Sequence, residues 1–434
     1  MCPNPAFNLS PDLLSAVLKE QWEAFNGQEL GVRREILKKV QQALDSPQIL
    51  IITGLRRAGK STLMAQIART YLENRCYFVN FEDERLLQFT AEDFDVLHER
   101  LISLFGEKKV FLFDEIQAVP HWERFVRRLH DQGYKILLTG SNASLLSEEL
   151  GTKLTGRSLR FELFPFSFQE YLHLKGTSTI PQVPFTTREK GQLVGWIQDY
   201  LTEGGIPDAV KYPGLGIHKT LYDDILHRDI GSRYQIDNMR TLKELAFYLL
   251  SNTTTNISYN RLKNQLKLGS LNTVKKYIGY LENSWLFFVI HKFAYSVKTQ
   301  QIASKKIYCI DPGLVHQVGF SFSKDQGKLL ENLVFLQLRR ETDRIYYYQT
   351  ANGREVDFYL PDRNHVLQVC LEFSSPETRK RELRSLQEMA LEIDKPLRRT
   401  LITLRDKETI EQEDGIVEVL PVYEWLLQPA SPAL

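Results

Sequence analysis

The chain has 434 residues, too many for one average core, and a length prior of about two to four domains applies. Its 55 Lys and Arg against 54 Asp and Glu leave a net charge of +1, which excludes a whole-chain electrostatic bias toward nucleic acid or membrane and confines any basic surface to a local patch. The four cysteines, Cys2, Cys76, Cys309 and Cys370, show no CxxC spacing, which argues against a disulfide framework or a zinc site. The N-terminus carries no basic segment followed by an apolar core, and no run of about 18 apolar residues occurs, so a soluble cytoplasmic protein with no membrane partner is expected.

Leu13, Leu14, Val17 and Leu18, then Ile36, Val40 and Leu44, carry helical spacing and predict a helical preface over 11–45. Strands begin at QILIITG, and the expected order is strand 48–53, helix 60–73, strand 76–81, helix 91–104, strand 109–113, helix 121–132 and strand 135–139. Such alternation predicts an α/β fold with a parallel sheet covered on both faces. GTSTIPQVPFTT reads as an exposed connection near residue 180 that ends the first domain. Residues 188–250 read as helical, 257–293 as helix, turn, helix and then the β-rich WLFFVIHKF, and 305–427 as a further α/β unit.

The strongest motif is Gly54, Leu55, Arg56, Arg57, Ala58, Gly59, Lys60 and Ser61, followed by Thr62, a GxxxxGK[ST] pattern placed between an apolar strand and a helix. The glycines let backbone N–H groups turn inward around phosphate oxygens, Lys60 neutralises β and γ charges, and Ser61 can ligate Mg²⁺. KVFLFDE then delivers Asp114 and Glu115 at the C-terminal end of a buried strand, where α/β sheets bind ligands. Asp114 is expected to hold Mg²⁺ through water and Glu115 to polarise the attacking water, with ATP as the nucleotide. A small-molecule kinase has little use for Glu115. A whole strand, CYFVNFE, intervenes between the phosphate loop and DE, which points to a Walker-type ATPase with an extra strand between the two. Thr139, Ser141 and Asn142 end the next strand, either to sense the γ-phosphate or to cap the following helix. Arg157 could reach a phosphate of its own or a neighbouring chain as an arginine finger, or pair at the surface.

GLRRAGKSTL, FLFDEIQAVPHWERFVRRL, ILLTGSNASLL, GRSLRFELFPFSFQEYL and YLTEGGIPDAV, in this order, resemble the prokaryotic AAA-type ATPases that carry a C-terminal domain of unknown function. KKIYCIDPGL, LLENLVFLQLRR and GREVDFYL resemble that second domain, so the likeness covers nearly the whole chain. The resemblance implies an ATP-binding core, a winged-helix segment and a C-terminal fold similar to PD-(D/E)xK nucleases. The domains expected are a preface over 1–30, a P-loop ATPase domain over 31–175, a helical lid or arm over 188–250, a winged helix-turn-helix over 251–298 and the nuclease-like domain over 299–428.

Read from its own residues, 258–266 is a first helix, Gly269 lies in the turn, and 272–282 is a second helix capped by Asn272. Between residues 255 and 310 nine basic residues face the single acid Glu282, and Arg261, Lys263, Lys267, Lys275 and Lys276 fall on the two helices. They are candidate DNA contacts, of the kind that hold backbone rather than read bases, the alternative being a solvated packing face.

A nuclease of the resembling fold uses a helix Glu, a strand Asp, and on the next strand an acid followed two residues later by lysine. Glu331 and Asp357 fill the first two places, but the third triplet is Gln368, Val369 and Cys370. Gln368 can offer a carbonyl oxygen to a metal, whereas Cys370 cannot replace an ammonium. Lys380 or Arg379 is the nearest substitute cation, so a degenerate scaffold that binds rather than cuts is expected. Two functions remain open: an ATPase acting on DNA, and a nucleotide-controlled switch that regulates protein partners or assembles into a homo-oligomer.

Overall fold

A computed structural model describes residues 10–141, 156–177, 180–181, 183–320, 326–393, 395–412 and 415–428. The chain divides into two compact units, Met1–Phe164 and Pro165–Leu434. No helix among the described residues is long and apolar enough to cross a membrane.

The first unit opens on α1 (Pro11–Gly27), which has proline in its first turn and a Ser10 side chain that accepts from Leu13 N–H. It continues through α2 (Leu37–Leu44), β1 (Ile49–Gly54), α3 (Lys60–Tyr71), β2 (Tyr77–Asn80), α4 (Phe94–Phe105), β3 (Val110–Asp114), α5 (Trp122–Asp131), β4 (Lys135–Gly140) and β5 (Ser158–Leu163). All five strands are parallel, in the order β2-β3-β4-β1-β5. Every residue of β1 is buried, as a central strand covered on both faces requires. Leu14, Val17 and Leu18 of α1 join Val79, Phe94, Phe111, Phe113 and Phe125 in one apolar cluster, which anchors the helical preface to the sheet.

Two corrections concern this sheet. The strand that separates β1 from β3 is β4, while the CYFVNFE strand, β2, lies at the edge. The strand SLRFEL is also an element in its own right: β5 pairs with β1 along its whole length, from Ile49 opposite Ser158 to Gly54 opposite Leu163.

The second unit begins with helices α6 (Phe168–Leu174), α7 (Thr187–Glu203), α8 (Pro207–Lys211), α9 (Ile217–Asp224) and α10 (Met239–Ser251), with a π-helical run over Ile225–Ser232. Next come β6 (Asn256–Ile257), α11 (Tyr259–Gln265), α12 (Leu271–Asn283), β7 (Phe287–Lys292), α13 (Val297–Ile302) and β8 (Lys305–Cys309). The cap of α12 is Ser270, whose hydroxyl accepts from Thr273 N–H at 3.1 Å; Asn272 lies inside the helix. The chain ends with α14 (Pro312–Val318), α15 (Gln326–Arg339), β9 (Tyr346–Gln349), β10 (Glu355–Leu360), β11 (His365–Val369), α16 (Pro376–Glu392), β12 (Arg398–Thr403), β13 (Glu408–Gln412), β14 (Gly415–Pro421) and α17 (Val422–Leu427).

These strands form one sheet in the order β13-β14-β12-β11-β10-β9-β7-β8-β6. β7 and β8 are antiparallel, β7 and β9 parallel, β9, β10 and β11 successively antiparallel, and β11 and β12 parallel. β10 carries a register shift between Val356 and Tyr359, a bulge of the kind that bends a sheet. β11 stops at Val369, so Cys370 leaves the strand and packs with Phe373, Leu386 and Met389 as a small apolar group.

Candidate functional site

The phosphate loop connects the C-terminal end of β1 to α3. Gly54 is required there: its φ is +154°, and a Cβ would stand 2.1 Å from the Leu163 carbonyl oxygen at the end of β5. Gly59 takes the N-cap of α3 at φ +93°, which leaves the helix N-terminus facing the loop. Arg57 also adopts a left-handed conformation, φ +63°, and its side chain is exposed. Leu55 and Ala58 are buried and closed into a turn by a 3.1 Å bond from Ala58 N–H to the Leu55 carbonyl. Thr62 is half-buried in the first turn of α3.

Lys60 is buried, and its Nζ donates to the Gly54 and Leu55 carbonyls at 3.4 and 3.3 Å and lies 3.3 Å from Glu115 Oε1. Arg56 pairs with Glu82 at 3.2 Å. Ser61 Oγ donates to Asp114 Oδ2 at 2.6 Å, which brings the two expected Mg²⁺ oxygens together. Thr139 Oγ1 donates to the other Asp114 oxygen and accepts from Glu115 N–H at 2.9 Å. Thr139 therefore braces both acids. Glu115 follows β3 at φ +49°, with Oε2 accepting from Gln117 Nε2 and, at 3.2 Å, from Ser141 N–H. Asn142 lies outside the described residues.

The two acids differ electrostatically. Burial and the neighbouring Glu115 charge push Asp114 upward, against the bonds from Ser61 and Thr139. Burial also works against the Glu115 charge, but the Lys60 ammonium and Gln117 outweigh it and hold this carboxyl below its usual value. Glu115 is thus kept ionised.

Arg157 is not at its own phosphate loop. It precedes Ser158, opposite Ile49 at the N-terminal end of β1, whereas the loop follows the C-terminal end; its guanidinium faces Asp131 at 3.5 Å. Six residues of strand span about 20 Å, too far for a finger in its own site. A residue that sequence reasoning missed is Arg34, buried, donating from Nη1 to the Ala58 carbonyl at 2.7 Å and from Nη2 to the Phe164 carbonyl at 2.6 Å. It ties the phosphate loop to the chain beyond β5. In the sequence it looks like half of a surface Arg-Arg pair.

In the second unit Arg261, Lys267, Lys275 and Lys276 are exposed and Lys263 half-buried, on α11, α12 and the turn between them, while Leu262, Val274, Ile278 and Leu281 form the buried face. Two other lysines of this basic stretch are not on the surface. Lys305 is buried and bonds the Gln301 and Ala303 carbonyls, and Lys306 is enclosed by carboxylates.

Glu331 on α15 and Asp357 on β10 do meet, through Lys306 of β8. Its Nζ lies 2.8 Å from Glu331 Oε1, 2.7 Å from Glu355 Oε1 and 3.1 Å from Asp357 Oδ1. Gln368 offers its carbonyl oxygen to Asp357 N–H at 3.2 Å, a bond inside the sheet. Neither proposed substitute cation takes part: Arg379 pairs with Glu408 and Lys380 is exposed. Burial and the Asp357 charge push Glu331 up to about 7 against Lys306 and Tyr308, and burial pushes Asp357 upward as well. Among the described residues no group of three or more His, Cys, Asp or Glu is arranged to hold a metal ion.

Comparison with known proteins places these features in a family. Residues 46–172 match the AAA domain family, residues 195–325 a domain of unknown function (DUF8612) and residues 326–425 a second one (DUF4143). The uncharacterized protein MJ1544 of Methanocaldococcus jannaschii is 32% identical over 422 residues, covering 92% of this chain and 93% of that protein. An uncharacterized protein of Haemophilus influenzae is 31% identical over 414 residues, covering 91% and 98%. Among solved structures, the ORC1 protein of Aeropyrum pernix in complex with DNA aligns over 73% of this chain and 97% of that one, at 12% identity and a TM-score of 0.32, a likeness too distant to carry an argument. The chain belongs to the family of AAA-domain proteins whose AAA domain is followed by the DUF8612 and DUF4143 domains.

Proposed function

We propose that the protein binds and hydrolyses ATP with Mg²⁺ and binds DNA through α11 and α12. The observation that carries the ATP reading is the convergence of Lys60, Ser61, Asp114, Glu115 and Thr139 on one loop at the C-terminal edge of a parallel sheet. The Ser61 hydroxyl and the Asp114 carboxylate form a hard-oxygen pair that fits Mg²⁺. Ser61 and Asp114 would hold the Mg²⁺, which would supply positive charge to offset charge developing on the phosphates. Lys60 offers an ammonium to the β and γ oxygens, and Glu115, held ionised, orients the attacking water and takes up its proton. Gln117 and Ser141 N–H aim the Glu115 carboxylate, and Thr139 holds the backbone that carries it.

The DNA reading is supported by the five basic residues on one helix-turn-helix and by the order α10, β6, α11, α12, β7, β8, with β8 paired between β6 and β7, which suits a winged helix. The order α15, β9, β10, β11, α16, β12, with Glu331 on the helix and Asp357 on the middle strand, suits a nuclease-like scaffold. That scaffold lacks the acid and lysine of the third strand, and we read it as a platform that does not cut.

The test is Mg²⁺-dependent ATP turnover by the full chain and by Lys60→Ala and Glu115→Gln. Turnover lost in both, with nucleotide affinity lost only in Lys60→Ala, is the expected result. Turnover unchanged in Glu115→Gln would overturn the assignment.

A further inference from the structure

Lys306 has the surroundings of a bound ion. Its side chain is 2% exposed, and the three acids around it come from two elements, Glu331 from α15 and Glu355 with Asp357 from β10. The ammonium donates to Glu331 Oε1 and Asp357 Oδ1 and forms an ion pair with Glu355 Oε1. Other protein donors fix how those acids point. Asp357 Oδ2 accepts from Val369 N–H at 3.0 Å, Glu355 Oε2 accepts from Asn256 Nδ2, and Tyr308 OH adds a 2.8 Å bond to Glu331 Oε1. Burial opposes the lysine charge, but Tyr308, Glu331, Asp357 and Glu355 outweigh it and hold this ammonium well above its usual value.

In a site built for a metal with a helper lysine beside it, the acid oxygens turn toward the metal and the ammonium stands to one side. Here one oxygen of each of the three acids turns onto Nζ. The Gln368 carbonyl is turned onto the Asp357 N–H, and no metal-holding group is formed among the described residues. We propose that the Lys306 ammonium is the resident cation of this carboxylate site, seated where a hard divalent ion would otherwise be held. The native site is closed to metal, and removing Lys306 converts it into a site for Mn²⁺, Mg²⁺ or Ca²⁺, the ions that oxygen ligands favour. The inference goes beyond the proposed function and needs neither ATP nor DNA. It supplies a chemical reason for a scaffold that does not cleave: the position of the catalytic ion is filled by the chain itself.

The test uses the full chain without nucleotide, in an Asp114→Asn background that removes the carboxylate of the phosphate site. Mn²⁺ binding is followed by electron paramagnetic resonance and by the thermal midpoint of unfolding, for that background alone and for additional Lys306→Met, Asp357→Asn and Lys306→Met/Asp357→Asn substitutions. The expected result is that Lys306→Met gains one Mn²⁺ site at least about tenfold tighter than any in the background, raises its midpoint with Mn²⁺, and loses both effects when Asp357→Asn is added. Mn²⁺ bound equally well with Lys306 present, and released by Asp357→Asn, would overturn the proposal. So would a folded Lys306→Met chain that binds no more tightly than the background. If Lys306→Met does not fold alone, recovery of cooperative unfolding with millimolar Mn²⁺ supports the proposal and failure to recover it contradicts it. None of these readouts involves hydrolysis, so failure here leaves the ATP reading standing.

Discussion

Lys60 Nζ lies 3.3 Å from Glu115 Oε1, so the phosphate-loop lysine and the acid at the end of β3 are direct partners in a largely buried site. Each is positioned by a further group, Lys60 by the loop carbonyls and Glu115 by Gln117 and Ser141. Gln117→Ala removes one of the two donors that aim the carboxylate while leaving Lys60, Ser61 and Asp114 in place. The expected outcome is a turnover lowered by about 10-fold or more, with ATP affinity little changed, read from steady-state hydrolysis against nucleotide titration. A fall in affinity alone would contradict a positioning role.

Thr139 bonds Asp114 with its hydroxyl and receives the Glu115 N–H, both within the buried site. Thr139→Val keeps the shape and leaves those groups unsatisfied, which costs about 1–3 kcal/mol of stability and lowers turnover. Thr139→Ser retains the hydroxyl and is expected to restore most of both. Denaturant midpoints and hydrolysis rates of the pair check it.

Glu282 titrates in the second unit. Burial pushes its carboxyl from 4.5 to about 7, against the 3.2 Å bond from Val289 N–H. The folded state therefore holds a proton that the unfolded state releases. This contribution to stability is fully present below about pH 4.5 and is lost as pH rises through about 7. Glu331 adds a slope of the same sign. Glu282→Gln is expected to be more stable than the native chain at pH 8, similar at pH 4.5, and less pH-dependent between, as urea midpoints at the two ends would show. A variant less stable at pH 8 would contradict the sign.

Lys275 and Lys276 are exposed on α12. If they hold a DNA backbone, replacing either by alanine weakens binding uniformly across sequences and lowers the salt slope by about 1 per phosphate contact. Fluorescence anisotropy with two unrelated duplexes across a salt series measures both quantities. An effect confined to one sequence would argue for base contact instead.

The candidate nucleotide site is legible because its parts are local: an apolar strand, a glycine turn and a helix within residues 49–71, and a buried strand that ends in two acids. The edge strand β5 was harder to read, since SLRFEL is only partly buried and has no uniform apolar run. Arg34 gave no signal, because its partners are main-chain carbonyls at Ala58 and Phe164, the latter 130 residues away. The spacing of the resembling fold places a cation two residues past Gln368, yet the cation of the C-terminal cluster comes from β8, 51 residues before Asp357. β8 and β10 are separated in the sheet by β7 and β9, so the Lys306–Asp357 contact is not one between paired strands. A contact between strands that are not neighbours has no signature in residue spacing.

The most direct measurement is ATP hydrolysis by the full chain with and without duplex or single-stranded DNA, over a salt series, with Glu115→Gln and Lys275→Ala/Lys276→Ala as controls. The proposed function predicts turnover that rises with DNA at low salt, loses that rise as salt increases, loses it in the double lysine variant and vanishes in Glu115→Gln. Turnover that stays at the basal rate with saturating DNA at low salt would contradict it.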